Sequence, residues 1–214
     1  MKATLTTNAD SDARVLEEWT DEDLLIQYRL TDDRRLFEAL VGRYERELYS
    51  YLRRYLGDAE MADDTFQATF LQVHLKRDHY EQGRKFRPWL YTIATNQAID
   101  AQRRNRRHRM VSLDRAGSDH VEEVGRLADV LVSDAPDPHD VAEDEERNAW
   151  VRSALADLSG QARQVIELVY YRGMKYREAA EILDVPVGTI KSRLHAAINK
   201  LNDSLAKQEA ERRG

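Results

Sequence analysis

The chain has 214 residues, 34% of them charged and 42% in the hydrophobic set, with four prolines, nine glycines and no cysteine. Without cysteine there is no disulfide framework, no thiolate metal site and no catalytic thiol, and no apolar stretch approaches the roughly 20 residues that cross a bilayer. The net charge of -6 argues, as an average, against a general nucleic-acid binder, and Met1 to Asp10 lack the apolar core of a secretory signal, so the chain reads as cytosolic.

Apolar residues recur at helical spacing and no segment alternates as a strand would, which predicts an all-α chain. Residues 1–19 are polar and are expected to be a disordered extension. Thr20, followed by Asp21, Glu22 and Asp23, predicts an N-cap with acids in the first turn of a short helix through Leu24, Leu25 and Tyr28. Thr31 is the expected cap of a longer helix with Leu36, Phe37, Leu40, Val41, Tyr44, Leu48, Tyr51, Leu52 and Tyr55 at spacings of three and four, and with Gly57 as its end. Asp58 caps a third helix to about Lys76, and Pro88 suits the first turn of a fourth that runs to about Arg107.

From Ser112 to His139 the periodicity fades among Gly117, Gly125, Pro136 and Pro138, which predicts a flexible acidic linker over 111–140 with a transient helix near 121–131. A second small helical domain is expected over 141–207, with Trp150, Val151, Leu155 and Leu158 on one face. There Ser159 caps a helix reaching Gly173, and residues 208–214 form a tail. The first domain is expected over 20–110, so the architecture is two small helical domains joined by the linker.

Resolved along the chain, the acidic average divides into zones. Met1 to Gly83 hold 11 Lys/Arg against 18 Asp/Glu, whereas Arg84 to Arg109 hold eight basic residues and one acid, Asp100. Ser112 to Asn148 carry twelve acids against three arginines, and Arg163 to Lys207 turn mildly basic, eight against five. Two basic zones flanking an acidic one point to a nucleic-acid partner concealed by the total.

Three motifs fill those zones. Tyr176 to Leu183, the turn Asp184-Val185-Pro186 and a helix from Val187 onward have the shape of a helix-turn-helix, with Ala179, Ala180, Ile182, Val185, Ile190 and Leu194 as its close-packing residues. Thr189, Lys191, Ser192, Arg193 and His195 then lie on the leading face of the second helix, hydroxyls and cations suited to phosphates and base edges. Phe86 to Asp100, with Trp89, Leu90, Ile93, Asn96 and Ile99, run into Arg103, Arg104, Arg106 and Arg107: an aromatic-bearing helix with a basic end that can hold a single strand. Trp89, Leu90, Ile93 and Ile99 also read as core, and Trp89 reads better as core than as a base-stacking ring. Asp63, Asp64 and Gln67 are exposed on the third helix while Phe66 and Phe70 anchor it, a face that can pair with a partner's arginines.

Val187 to His195 closely resemble the recognition-helix signature of region 4 in extracytoplasmic-function (ECF) sigma factors of bacterial RNA polymerase, and Tyr176 to Leu183 look like the helix before it. Phe86 to Arg107 resemble regions 2.3 and 2.4, and Ala62 to Phe70 resemble region 2.2. The resemblance spans roughly Thr20 to Leu201. It departs from the family pattern at Ala68, where an acid is usual, and at Ala196 and Ile198, where arginines are common; Ile198 is expected to extend the apolar face instead.

The resemblance implies a sigma factor with regions 2 and 4 only, a monomer when free. Arg177, Thr189, Lys191, Ser192, Arg193 and His195 would hold the minus 35 element. Asn96, Asp100, Arg103, Arg104, Arg106 and Arg107 would read and melt the minus 10 element. Asp63, Asp64 and Gln67 would dock on core RNA polymerase, at the beta-prime clamp helices, with the beta flap meeting region 4. An anti-sigma factor is a further implied partner, and the linker would thread the RNA exit path.

The six histidines show no metal-ligand spacing, no Gly-rich phosphate loop is present, and the acid pairs lie in capping runs. The expectation is therefore a non-enzyme without metal or cofactor. Two other readings remain at this stage: a sigma-like decoy that sequesters an anti-sigma factor, and an ordinary dimeric helix-turn-helix regulator.

Overall fold

A computed structural model of the chain describes residues 18–113, 153–155 and 157–213. Every regular element among them is helical.

Local chemistry sets the helix ends. α1 (Asp21–Thr31) starts where Thr20 Oγ1 accepts the Asp23 N–H at 3.1 Å. The cap of α2 (Arg34–Leu56) is Asp33, not Thr31 as expected. Thr31 still belongs to α1 and its hydroxyl donates to the Gln27 carbonyl at 2.8 Å. Asp32 then turns left-handed at φ 54, which brings the Asp33 carboxylate under the Arg35 N–H at 3.0 Å. The Arg35 side chain and backbone donors hold the Asp33 carboxyl below its ordinary range. Gly57, at φ 73, ends α2 with no Cβ to clash, and Asp58 Oδ1 accepts the Met61 N–H at 3.0 Å to open α3 (Ala59–Lys76). Both match the sequence expectation.

After a short 3₁₀ turn, Arg77–His79, α4 (Phe86–Leu113) has Pro88 in its first turn, where a missing N–H removes no helical bond. Its first N–H, that of Phe86, donates to Glu22 Oε1 at 3.0 Å, so α1 caps α4 across the fold. α4 runs past Arg107 to Leu113; the rest of the expected linker, with its helix near 121–131, lies outside the described residues. Trp19, expected in the extension, is half-buried and packs against the core, while residues 1–17 lie outside the description.

Ser159 Oγ accepts the Ala162 N–H and caps α5 (Gly160–Ile166). The single helix expected to reach Gly173 instead widens into a π turn over Glu167–Tyr171, closed by Arg172 N–H to the Glu167 carbonyl at 3.0 Å. Gly173 follows at φ 62. α6 (Tyr176–Ile182) and α7 (Val187–Arg213) complete the chain, α7 continuing through the expected tail. Of the apolar face expected ahead of Ser159, Leu158 is buried and Leu155 partly so; Trp150 and Val151 lie outside the described residues.

Leu40, Leu48, Tyr51 and Leu52 of α2 form the centre of the N-terminal unit, with Leu24 and Leu25 on one side and Phe86, Leu90 and Tyr91 on the other. The Thr95 hydroxyl donates to the Tyr91 carbonyl at 2.7 Å, so the fully buried Tyr51 phenol donates to Thr95 Oγ1, also at 2.7 Å. The C-terminal unit does not stand apart. Val165, Leu168, Met174, Ala179, Ala180, Ile182 and Ile190 belong to the same apolar cluster as the N-terminal core. α6 packs on α4, and Leu168 is fully buried, worth about 1.5–3 kcal/mol for such a side chain.

Candidate nucleic-acid interface

The helix-turn-helix is built from small residues and a left-handed turn. Lys175 N–H donates to Glu178 Oε2 at 2.7 Å at the start of α6. Ala179 and Ala180 are buried, letting α7 cross closely. Asp184 adopts φ 50, and the Val185 N–H returns to the Ala180 carbonyl at 3.0 Å. Pro186 then accepts from the Thr189 N–H at 2.8 Å, and Ile190 anchors α7 at zero exposure.

This leaves Arg177, Lys191, Ser192 and His195 exposed, with Thr189 and Arg193 half-exposed. Arg177, Lys191 and Arg193 make no ion pair with another described residue, so their charge is available to an anion. The Ser192 hydroxyl donates to the Thr189 carbonyl at 3.1 Å, which spends its proton and leaves its lone pairs as acceptors. The Asn199 amide and His195 Nδ1 meet at 3.2 Å. Gly188 has open space where a Cβ would stand and no positive φ, so nothing within the chain demands glycine there. Ile198 is 47% exposed, contrary to the expectation that it extends the apolar face; the buried residue in that turn is Ala197.

On α4 the expected core positions are buried at Trp89, Leu90 and Ile93 but not at Ile99, where the neighbouring Ala98 is buried instead. Trp89 is buried, edge-on to Tyr80 at 5.0 Å between ring centres, and Leu90 and Ile93 are buried beside it. Ile99 is half-exposed. Asn96, Asp100, Arg103, Arg104, Arg106 and Arg107 are exposed. Arg103 lies 3.6 Å from Asp100 one turn away, and Arg107 Nε reaches the Arg103 carbonyl at 3.4 Å. Arg104 and Arg106 form no ion pair with another described residue.

α3 buries Ala62, Thr65, Thr69, Phe70 and Val73 and turns Asp63, Asp64 and Gln67 outward. Phe66 and Phe70 pack edge to face at 5.1 Å, as expected of anchors. Burial first, and the Asp63 carboxylate second, raise the phenol of Tyr49 above its usual value. An open groove of about 690 Å³ between α3 and α4 brings together residues that the sequence treats separately: Asp64, Gln67 and Leu71 on one wall, Gln97, Arg104 and Asn105 on the other.

Exposed Leu71 and Leu75 on α3 were not anticipated; their spacing from Gln67 and Ala68 places them on the same helical stripe. Also unforeseen are the charged residues between the units. Arg87 Nε donates to Glu47 Oε1 at 3.0 Å and its Nη2 to the Arg172 carbonyl at 2.8 Å. Arg54 Nη1 donates to Glu167 Oε2 at 3.2 Å. Nothing local in the sequence marks such pairs, because the partners stand 85 and 113 residues apart.

Among the described residues no group of three or more His, Asp or Glu could hold a metal, and no helix is long and apolar enough to cross a membrane. Two helical units, one with a helix-turn-helix whose Arg177, Lys191 and Arg193 make no ion pair with another described residue and one with an arginine-ended helix, place the protein in the class of helix-turn-helix nucleic-acid-binding proteins.

Comparison with known proteins sharpens that class. Residues 40–108 match the family model of sigma-70 region 2, and residues 148–201 that of sigma-70 region 4. The chain is 30% identical over 173 residues to the ECF RNA polymerase sigma factor SigW of Bacillus subtilis (strain 168), covering 81% of this chain and 90% of that one. To the ECF RNA polymerase sigma factor SigL of Mycobacterium tuberculosis (strain H37Rv) it is 34% identical over 173 residues, covering 79% and 89%. Among solved structures, the sigma factor RpoE in its complex with the anti-sigma factor NepR from Bartonella quintana is similar at a TM-score of 0.57 and 26% identity, covering 79% of this chain and 96% of that one. The chain belongs to the ECF family of RNA polymerase sigma factors.

Proposed function

We propose that the protein directs core RNA polymerase to promoters and starts their melting, acting in the cytoplasm by binding alone, without ATP and without a cofactor. The observation that carries this reading is the pairing of two exposed cationic surfaces on separate helical units: Arg177, Lys191 and Arg193 on the helix-turn-helix, Arg103 to Arg107 at the end of α4. The first holds the minus 35 duplex, with Thr189, Ser192 and His195 reaching the groove. The second holds the melted minus 10 strand, where capture of a flipped base near Asn96 offsets the few kcal/mol spent on unstacking it. Asp100 orients Arg103 for the same strand.

Asp63, Asp64 and Gln67 dock on the beta-prime clamp helices, and the helix-turn-helix unit meets the beta flap. The docking and melting unit is 20–110 with α4 continuing to Leu113, the linker is the remainder of 111–140, and the duplex-reading unit is 141–207. The linker's excess of acids suits a basic RNA exit channel, which it occupies as an RNA mimic. An anti-sigma factor is the natural regulator of such a chain, which is a monomer when free.

Salt dependence of promoter binding by the holoenzyme tests the DNA role, with core polymerase alone as the baseline. Neutralisation of about five or six phosphates by this subunit adds about -5 to the logarithmic salt slope. No added slope contradicts it.

A further inference from the structure

The two DNA-reading units are locked to one another by side chains that have no part in reading DNA. Arg54 of α2 is the clearest. Its Nη1 donates to both carboxylate oxygens of Glu167, at 3.4 and 3.2 Å, and its guanidinium lies over the Tyr171 ring at 4.7 Å. All of these partners are on the C-terminal unit. Glu167 is itself buried and is held from its own side by Arg172, at 2.7 Å. Arg172 in turn reaches Ser50 Oγ at 3.2 Å.

Three further contacts surround this knot. Arg87 spans Glu47 and the Arg172 carbonyl; Gln164 donates to the Tyr55 hydroxyl at 2.7 Å; Arg84 pairs with Glu181. Beneath them Leu168 and Met174 are buried in the N-terminal core. Ion pairs at an exposed rim are worth little. Arg54, Glu167 and Arg172 are different, because they are largely buried and breaking one leaves the others without compensation.

The closed form is too short for a promoter. Elements centred at minus 10 and minus 35 are about 25 base pairs apart, or roughly 85 Å along the duplex at about 3.4 Å per pair. A compact chain of this length is only about 45 Å across. We propose that the Arg54–Glu167–Arg172 knot is an intramolecular latch: it holds the free chain closed, with the C-terminal unit as the occupant of the α2–α4 surface, and must break before both promoter elements are engaged at once. The proposal rests on the promoter-spanning reading for its consequence, though not for the latch itself.

The absence of cysteine makes the test direct, since introduced thiols are the sole labelling sites. Glu45→Cys and Asp203→Cys, both exposed and on different units, take nitroxide labels for double electron–electron resonance. The free full-length chain should give a single distance population below about 45 Å, the width of a compact chain of this size. Arg54→Ser and, separately, Arg84→Ser cut only contacts between the units. Arg54→Ser should retain wild-type helicity by circular dichroism and move at least about half of the population to longer distances, the smaller rim contribution of Arg84 giving a smaller shift. A wild-type distribution already as broad and long as that of Arg54→Ser overturns the latch. A distance that stays short in the promoter-bound holoenzyme overturns the required opening. The free-chain measurement needs neither DNA nor polymerase, so it decides the latch separately from the promoter reading, which transcription decides.

Discussion

Gly188 opens α7 with empty space where its side chain would be and an unremarkable backbone. Within a helix, glycine is less favourable than alanine by about 0.5–1 kcal/mol, so Gly188→Ala should raise the thermal midpoint slightly. On the proposed promoter-binding reading the same change adds a methyl group at the start of the groove-entering helix and should weaken promoter binding; unchanged affinity in a filter-binding titration would show that Gly188 makes no close approach to DNA. Lys191 and Arg193 are exposed or half-exposed and make no ion pair with another described residue, so alanine at either should lower the salt slope by about one unit. Trp89 behaves oppositely. It is 8% exposed and packed on Tyr80 and Phe86, so Trp89→Ala should cost about 3–5 kcal/mol in denaturant unfolding, whereas Trp89→Phe should be mild. Such roles were legible from residue type and not from spacing, since at about 100° per residue Asn96 and Arg103 fall on the same helical face as Trp89 and Ile93, and only their polarity marks them as exposed. Ile198 misled because an isoleucine beside the buried Ala197 can face either way, and only the tilt of α7 on α5 decides it.

Helix starts were readable wherever one polar residue stood before an apolar run, as at Thr20, Asp58 and Ser159. Asp58→Ala should cost about 1 kcal/mol, read as a lower melting temperature with no change in helix-turn-helix function. At the second helix the expected cap, Thr31, gives way to Asp33, because the chain turns left-handed at Asp32, which no local pattern announces. The π turn at Glu167–Tyr171 escaped for a different reason. Its extra residue brings Glu167 and Tyr171 onto Arg54 and sends Arg172 toward Ser50, so it answers to the opposite unit, not to its own sequence. The groove between α3 and α4 likewise needed the fold to bring Gln67 and Arg104 to one cleft.

At the scale of the whole molecule the two helical units share one large apolar cluster, with a smaller one inside the C-terminal unit. Tyrosines make that packing sensitive to alkali. Tyr55, which accepts from Gln164 across the units, and Tyr80 are both pushed up to about 12 by burial. Tyr44, Tyr51 and Tyr91 are raised further, chiefly by burial. A folded pKa above the unfolded value of 10.0 means stability fully present below pH 10 and lost as the pH rises toward 12 and beyond. Unfolding followed by circular dichroism should therefore be flat from pH 7 to 9 and fall steeply above about pH 10, in step with phenolate absorbance; ionisation of these phenols without loss of structure would contradict their placement. Charge, by contrast, was readable only when resolved along the chain, since a net -6 conceals the basic end of α4 and the exposed cations of α7.

The central claim is that this chain gives core polymerase its promoter specificity. Run-off transcription with purified core enzyme, on a pool of genomic promoter fragments, tests it most directly. Added protein should yield transcripts from a small promoter set, lost when Lys191 and Arg193 are replaced together by alanine and lost again when Asp64 and Gln67 are. Transcripts no different from those of core enzyme alone would contradict the account.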